Sequence, residues 1–268
     1  MGKSGDLHER ECKLDAQNAS QLATIREHII TDPHYVTLND PRFQPDLMHG
    51  MELLGVPENF SIPRVRVYYD DIDLNGFRNG VEIRVEPKEC TEKPYKQMVK
   101  IGSNNASADG VFDRMEYPAK LPSPQPDLSL LKNGAQKKLK DVFGVSDLAD
   151  VKLLPMVMLV SQRWKIEYHP GGDPAMRIEY AHDTSRGQTF TGFSWDFFQA
   201  ELEMKAGDAT ILPREKKRLL DRFNFLSPGT RSKPSPGFDA LAAALAQPEI
   251  RKAAQKSLKP GAFKVLTL

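Results

Sequence analysis

Two segments of the sequence, far apart in the chain, carry the same Glu-x-Glu-x-Lys pattern of charged residues. The first consists of Glu9, Glu11 and Lys13, and the second of Glu201, Glu203 and Lys205. Because successive side chains of a β-strand point to opposite faces, residues two apart share a face. As strands, both segments would therefore present two carboxylates and one ammonium group on a single face.

The predicted strands between these two segments also collect their charges on one face. The charged sets are Arg64 and Arg66; Glu82, Arg84 and Glu86; Lys96 and Lys100; Arg114 and Glu116; Arg163 and Lys165; and Arg177 and Glu179. For any one strand, the solvated face of an ordinary antiparallel sheet is the simpler interpretation. Taken together, the strands favour a sheet that closes with its charged face inward and lines a polar cavity.

Such a cavity would need ligands of both signs. Two carboxylates about 4 Å apart repel by roughly 4 kcal/mol at an effective dielectric constant near 20, so gathered glutamates require cations or protons. Oxygen ligands without a Cys and His cluster favour Mg²⁺ or Mn²⁺ over zinc. The Lys and Arg side chains require a polyanion, and a chain of phosphates bridged to the carboxylates by metal would satisfy both sets.

The chain contains more predicted strands than helices, without the regular alternation that builds a doubly wound parallel sheet. Strands are predicted at residues 8–14, 35–38, 65–69, 81–85, 95–101, 112–117, 156–168, 175–181, 188–194 and 198–205. Helices are predicted at 18–30, 128–143, 212–225 and 238–258, with an irregular connection from 32 to 62 and a turn at 185–187. The predicted class is α+β, with a large antiparallel sheet or a closed barrel.

Composition limits the classes of function. The 268 residues contain 37 Lys and Arg against 36 Asp and Glu, a formal net charge of +1, which argues against a protein that coats nucleic acid. The longest strongly apolar run, 153–160, is too short for a membrane helix. Cys12 and Cys90 form neither a disulfide framework nor a metal-ligand spacing. We therefore expect a cytoplasmic protein without membrane contact.

The order of these segments resembles that of a known family. Residues 9–13 resemble the Glu-x-Glu-x-Lys signature of the CYTH superfamily, also called the triphosphate tunnel metalloenzymes. Residues 68–74 resemble its Tyr-Phe-Asp-Thr-Pro-Asp-Leu segment, 79–84 its Gly-x-x-Leu-Arg strand, and 98–100 its Thr-Leu-Lys strand. Arg114, Arg163, Asp183 near the predicted turn, the second Glu-x-Glu-x-Lys and Lys233 continue the series. The resemblance implies one domain over residues 1–268, an eight-stranded antiparallel β tunnel with flanking helices and a helical C-terminal segment at 211–268.

The resemblance also implies the roles of individual residues. The metal-binding set would be Glu9, Glu11, Asp183, Glu201 and Glu203, holding Mg²⁺ or Mn²⁺. The substrate-binding set would be Lys13, Arg84, Lys100, Arg114, Arg163 and Lys233, with Glu9, Glu11 and Lys13 as the catalytic residues. One departure stands out, because the family strand often reads Leu-Arg-x-Arg and Glu86 occupies the position of the second arginine.

The implied activity is metal-dependent hydrolysis of a small triphosphate, which could be tripolyphosphate, a nucleoside triphosphate or thiamine triphosphate. Two alternatives remain open at this stage: an adenylate cyclase of the same superfamily, and a non-catalytic binder of phosphorylated ligands, which the glutamate at position 86 suggests. The sequence leaves the oligomeric state open, with a homodimer as one arrangement to test.

Overall fold

The computed structural model describes residues 7–38, 64–88, 94–108 and 110–258. Most of the predicted irregular connection, Cys90 and the last ten residues of the predicted single domain lie outside these ranges. The described part of the chain contains no helix that is long and apolar enough to cross a membrane.

Eight antiparallel strands close into a barrel. They are β1 (Leu7–Ala16), β3 (Arg64–Asp70), β4 (Val81–Pro87), β5 (Tyr95–Gly102), β6 (Val111–Leu121), β7 (Leu154–Pro170), β8 (Arg177–Thr189) and β9 (Ser194–Ala206). Around the barrel the order is β1-β6-β5-β4-β3-β7-β8-β9, and β9 pairs again with β1. The predicted α+β class with an eight-stranded closed antiparallel tunnel is confirmed.

Two short strands pair with the ends of barrel strands. β2 (Tyr35–Thr37) pairs with the end of β7, beyond the part of β7 that pairs with β3. β10 (Ser227–Gly229) pairs with Lys13–Asp15 of β1, on the edge that β6 leaves open after Cys12. The chain that follows β10 is thereby held next to the barrel interior.

Helices cover the apolar outer face of the barrel. They are α1 (Ala19–Thr31), the short α2 (Asn75–Arg78), α3 (Asn133–Phe143), α4 (Leu212–Arg222), α5 (Ser235–Leu245) and α6 (Pro248–Ser257). α1 and α4 pack on β1, β7, β8 and β9, α3 packs on β4 and β5, and α5 packs on β7. Because outward strand positions are apolar and buried beneath these helices, the inward positions are left to the charged residues.

The structure around Gly187 differs from the turn and strand predicted at residues 185–194. The predicted turn at 185–187 and the predicted strand at 188–194 are wrong, since β8 continues to Thr189 and the turn follows at Phe190–Phe193. Gly187 lies opposite Trp195 of β9, and a Cβ there would lie 2.3 Å from the indole ring. The glycine therefore serves close packing within a strand and does not mark a chain reversal.

We expect the substitution Gly187→Ala to lower the free energy of unfolding by about 1–3 kcal/mol, because the added methyl group overpacks the Trp195 site. Urea unfolding of the purified protein measures this. Gly134→Ala in α3 is the matched control, since nothing lies within 4 Å of a Cβ built there. Equal stability of the two variants would contradict the packing role of Gly187.

Two predicted helices are also revised. The helix predicted at 128–143 begins only at Asn133, because Asp127 caps a separate 3₁₀ turn at Leu128–Leu130 and Leu131 is extended. The helix predicted at 238–258 is two helices, separated at Ala246 and Gln247. Pro248 has no backbone N–H, and an α-helix accepts such a residue only in its first turn. Pro248 therefore begins α6.

Candidate active site

The barrel encloses a cavity of about 250 Å³ whose lining is almost entirely charged. Its acidic residues are Glu9, Glu11, Glu82, Glu86, Glu116, Glu179, Glu201 and Glu203. Its basic residues are Lys13, Arg64, Arg66, Arg84, Lys96, Lys100, Arg114, Arg163, Lys165, Lys205 and Lys233. The period-two charge pattern of the sequence therefore faces inward, with basic groups in excess.

Strand register brings like charges side by side. Glu203 of β9 lies directly opposite Glu11 of β1 on one side and opposite Glu179 of β8 on the other. Directly opposed residues have Cβ atoms only about 4.5–5.5 Å apart, and like charges there are destabilising. This row of three carboxylates is tolerable only because cations surround it.

Glu9 and Glu11 of β1 are paired with basic groups from three strands. Lys100 Nζ donates to both oxygens of Glu9 at 2.7 Å, and Arg114 Nη2 donates to Glu9 Oε2 at 3.0 Å and to Glu11 Oε1 at 2.5 Å. Lys13 Nζ lies 2.8 Å from Glu11 Oε1. Burial raises the pKa of Glu9, but the charges of Lys100 and Arg114 outweigh it, so the net shift is downward. Glu9 therefore stays ionised although it is buried.

Glu201 and Asp183 form a second cluster. Glu201 accepts hydrogen bonds from Lys13 at 2.7 Å, from Lys233 at 2.8 Å and from Arg163 at 2.9 Å. Asp183 accepts from Arg163 Nη1 at 2.7 Å and from Lys233 Nζ. Although burial opposes ionisation, these cations hold the pKa of both carboxyl groups below the usual range.

Lys233 reaches the cavity from outside the barrel strands. It lies in the segment between β10 and α5, where Ser232 and Ser235 share a hydrogen bond of 2.9 Å, and Ser232 and Pro234 also line the cavity. Pairing of β10 with β1 positions this segment. The buried Lys233 ammonium is thus held over Asp183 and Glu201 by local chain geometry.

Glu203 differs from Glu9 and Glu201. Burial raises its pKa, Lys205 at 2.6 Å lowers it, and the charges of Glu9 and Glu179 raise it, so that its pKa is shifted to about 7. The cations near Glu203 therefore do not offset its burial, as they do for Glu9 and Glu201.

Metal-free protein is expected to lose stability through Glu203 as pH rises from 4.5 to about 7, because the unfolded chain is ionised there while the folded protein retains the proton. His182, with a pKa lowered by burial to about 4, acts in the opposite direction, so the measurement is the difference between Glu203→Gln and the wild type. In EDTA, we expect this difference to grow by about 1–3 kcal/mol in favour of the variant between roughly pH 5 and pH 8. A difference that does not change with pH would contradict the shift.

Several buried polar atoms in and beside the cavity have no hydrogen-bond partner within the described residues. Arg84 Nε and Arg114 Nε are donors without an acceptor, and Asp183 Oδ1 is an acceptor without a donor. Arg114 Nη1 and Glu82 Oε1 make no hydrogen bond but lie 3.5 Å apart as an ion pair. Unsatisfied groups of this kind are costly and call for a ligand. The donors suit an anion rich in oxygen atoms, and the acceptor suits a cation.

A divalent cation fits the chemistry of the acidic residues. Carboxylate oxygens are the ligands that Mg²⁺ and Mn²⁺ prefer. As placed, the described side chains include no group of three or more His, Cys, Asp or Glu arranged to hold a metal ion, because Lys and Arg occupy the carboxylates. Binding of a metal would require those cations to shift, and a phosphate chain would offer them new partners.

The structure brings the predicted site residues together. Nearly all of them line the cavity: Glu9, Glu11, Lys13, Arg84, Lys100, Arg114, Arg163, Glu201, Glu203 and Lys233. Asp183 lies within β8, not near a turn, and is buried beside the cavity, where it contacts two of the lining residues. Asp70, in the segment resembling the family, accepts hydrogen bonds from the backbone N–H groups of Asp71, Gly76 and Phe77. That part of the resemblance therefore concerns local folding.

Other lining residues were absent from the predicted set, namely Arg64, Arg66, Tyr68, Glu82, Glu86, Lys96, Glu116, Lys165, Glu179 and Lys205. The alternation of charges places all of them except Tyr68 on the charged face of their strands, although the resemblance gives them no role. Arg177 shares that alternation but does not line the cavity, because the register shifts between Arg177 and Ile178. It pairs instead with Glu167 at 3.4 Å.

Comparison with solved structures assigns the class of fold. HpAC1 from Hippeastrum, a proposed adenylyl cyclase described as having a dominant triphosphatase activity, superposes with a TM-score of 0.52 at 14% identity, covering 87% of this chain and 96% of its own. The chain thus shares the fold of HpAC1, and the fold that the resemblance to the CYTH superfamily predicts, a closed antiparallel barrel of eight strands with flanking helices, is confirmed.

Two further structures match with TM-scores below 0.5. A proposed adenylate cyclase from Bacillus halodurans gives 0.45 at 14% identity, covering 75% of this chain and 94% of its own. The RNA triphosphatase domain of the mimivirus mRNA capping enzyme gives 0.37 at 12% identity, covering 82% and 89%. Neither a protein-family model nor a curated protein sequence matches the chain.

Proposed function

We propose that this protein is a divalent-metal-dependent hydrolase of small triphosphates, acting inside the barrel. The observation that carries the proposal is the cavity inside the barrel, which is lined by charges of both signs and has buried Arg84 and Arg114 donors and an Asp183 acceptor without hydrogen-bond partners within the described residues. A phosphate chain with a bound cation supplies both missing partners at once.

The size of the cavity supports a phosphate chain as the ligand. At about 250 Å³ it is smaller than the roughly 300–1,000 Å³ of sites that enclose a drug-sized molecule. Tripolyphosphate would fit inside, whereas the organic part of a nucleoside or thiamine triphosphate would remain at the mouth. HpAC1, which has the same fold, is described as having a dominant triphosphatase activity.

In the proposed mechanism, Glu9, Glu11, Glu201 and Glu203 would hold Mg²⁺ or Mn²⁺, and the bound metal would polarise the phosphate oxygens. Lys13, Arg84, Lys100, Arg114, Arg163 and Lys233 bind the phosphate chain and neutralise the charge that develops as the bond to the leaving phosphate breaks. Asp183 keeps Arg163 and Lys233 in position. A carboxylate of the set orients the attacking water and accepts its proton.

Phosphate release from tripolyphosphate, ATP and thiamine triphosphate, measured with Mg²⁺, with Mn²⁺ and with EDTA, tests the proposal. We expect turnover that requires the metal. Absence of turnover with every substrate and both metals would contradict it.

Analysis of the products formed from ATP, together with a measurement of tripolyphosphate binding, decides between two other functions. An adenylate cyclase is the first alternative, because HpAC1 is described as a proposed adenylyl cyclase. Such an enzyme would yield cyclic AMP and diphosphate from ATP. A non-catalytic binder, which is favoured by Glu86 on β4 and by the ion pairs of Glu86 and Glu9 with Arg66 and Lys100, would bind tripolyphosphate without turnover. A cytoplasmic setting and a homodimer remain predictions from the sequence.

A further inference from the structure

The wall formed by β3 and β4 carries two arginines, Arg64 and Arg66, to which the resemblance gives no role. Tyr68 lies opposite Arg84 in the register of these strands, so the next inward position of β3, Arg66, lies opposite Glu86. Arg66 Nε donates to Glu86 Oε2 at 3.3 Å, and the Arg66 side chain is only 4% exposed. Arg64, two positions earlier, lines the same cavity and is exposed at its mouth.

This wall has more positive charge than its carboxylate can balance. Glu86 is shared between Arg66 and Lys96, which lies 3.9 Å away. Among the described residues, neither Arg64 nor Arg84 has a carboxylate at ion-pair distance. The other carboxylate of β4, Glu82, lies 3.5 Å from Arg114. Arg64, Arg66, Arg84 and Lys96 therefore share Glu86, and the charge of Glu116 on β6 also acts on Arg84 and Lys96.

The crowding of cations extends to the neighbouring strand. Partial burial lowers the pKa of Arg64, and the charges of Arg66 and Arg163 lower it further. Arg66 and Arg163 line the same cavity, and Arg163 contacts the buried Asp183, whose pKa the charge of Arg66 helps to lower. A multiply charged anion placed there would contact basic groups from β3, β4 and β7.

We propose that Arg64 and Arg66 of β3 bind phosphate oxygens of the substrate, and that Arg66 supplies the guanidinium group which Glu86 has displaced from β4. This inference rests on the proposed function, because it assigns residues to the same phosphate chain. Arg66 binds inside the cavity and Arg64 binds the outermost phosphate at the mouth. The phosphate chain would reduce the repulsion among these cations, and each guanidinium would donate several hydrogen bonds to it.

Binding of tripolyphosphate in EDTA, measured by isothermal titration calorimetry, tests the inference without requiring turnover. The double variant Arg66→Gln/Glu86→Gln leaves the net charge unchanged and removes the guanidinium. We expect its affinity to fall by about 10- to 100-fold, the range for hydrogen bonds to charged groups. Arg64→Gln, at an exposed position with little influence on folding, is expected to weaken binding by about two- to fivefold.

The matched control is Arg177→Gln/Glu167→Gln, which removes another cross-strand Arg–Glu pair, separated by 3.4 Å, that does not line the cavity. It should bind like the wild type. The exchange Arg66→Glu/Glu86→Arg moves the guanidinium to β4 and should restore most of the lost affinity.

Wild-type affinity in both the Arg66→Gln/Glu86→Gln and the Arg64→Gln variants would overturn the inference while leaving the proposed function intact. Failure of the exchange variant to recover affinity would overturn the claim that Arg66 replaces an arginine at position 86. Failure of the wild type to bind tripolyphosphate in EDTA would overturn this inference, and failure to bind it with Mg²⁺ or Mn²⁺ as well would overturn the proposed function.

Discussion

Replacing Glu9 and Glu11 together by glutamine is expected to slow metal-dependent hydrolysis of tripolyphosphate by at least about 1,000-fold. The two carboxylates lie on one face of β1 and belong to the proposed metal-binding set. Glutamine keeps their volume and their ability to accept hydrogen bonds, but removes the charge that a divalent cation requires. The measurement is steady-state phosphate release with Mn²⁺ or Mg²⁺.

Binding without metal separates this loss from misfolding. In EDTA the same double variant is expected to bind tripolyphosphate at least as tightly as the wild type, because Lys100 and Arg114 no longer share their charge with Glu9. Glu167→Gln is the control, since Glu167 does not line the cavity. Wild-type turnover in the double variant would disprove the assignment of these two glutamates.

Lys233→Met is expected to reduce both activity and stability. Without its ammonium group, Asp183 and Glu201 each lose a buried partner, and breaking a buried ion pair on one side costs about 3–5 kcal/mol. Loss of one donor to the developing charge is expected to lower kcat/KM by about 100- to 1,000-fold. Thermal unfolding and phosphate release measure the two effects.

A second substitution separates the two effects of Lys233. Asp183→Asn/Lys233→Met removes both members of the pair, so it should recover part of the lost stability. Activity should remain low, because the phosphate still lacks the ammonium group. Recovery of wild-type kcat/KM in the double variant would show that Lys233 serves the fold alone.

Periodicity predicted the strands because its signal is local, whereas the eight-stranded closed barrel was implied by the resemblance to a family. Alternation of charged and apolar residues at period two identifies both the strand and its inward face, as with Glu9 and Glu11. The position of Lys233 was found only through the resemblance to a family, since it lies on a loop that no periodicity marks. The role of Gly187 could not be predicted, because its contact with Trp195 depends on the register of β8 and β9.

The ion pairs within the cavity could not be predicted from the sequence. Arg66 could be placed on an inward face, but its ion pair with Glu86 follows from the register between two strands. The sharing of Lys13 between Glu11 and Glu201 likewise depends on closure of the barrel. Periodicity gives the direction of a side chain, whereas its partners require tertiary structure.

The closing seam between β1 and β9 has a consequence for how the molecule folds. Lys13 and Glu201, which meet there, are 188 positions apart in the chain, so closure is a long-range event with a large loss of chain entropy. It also brings Glu11 next to Glu203, a repulsive contact. A cation that binds both strands favours the closed state over the open one by mass action. The divalent cation that the site is proposed to bind would therefore stabilise the closed barrel as well as take part in catalysis.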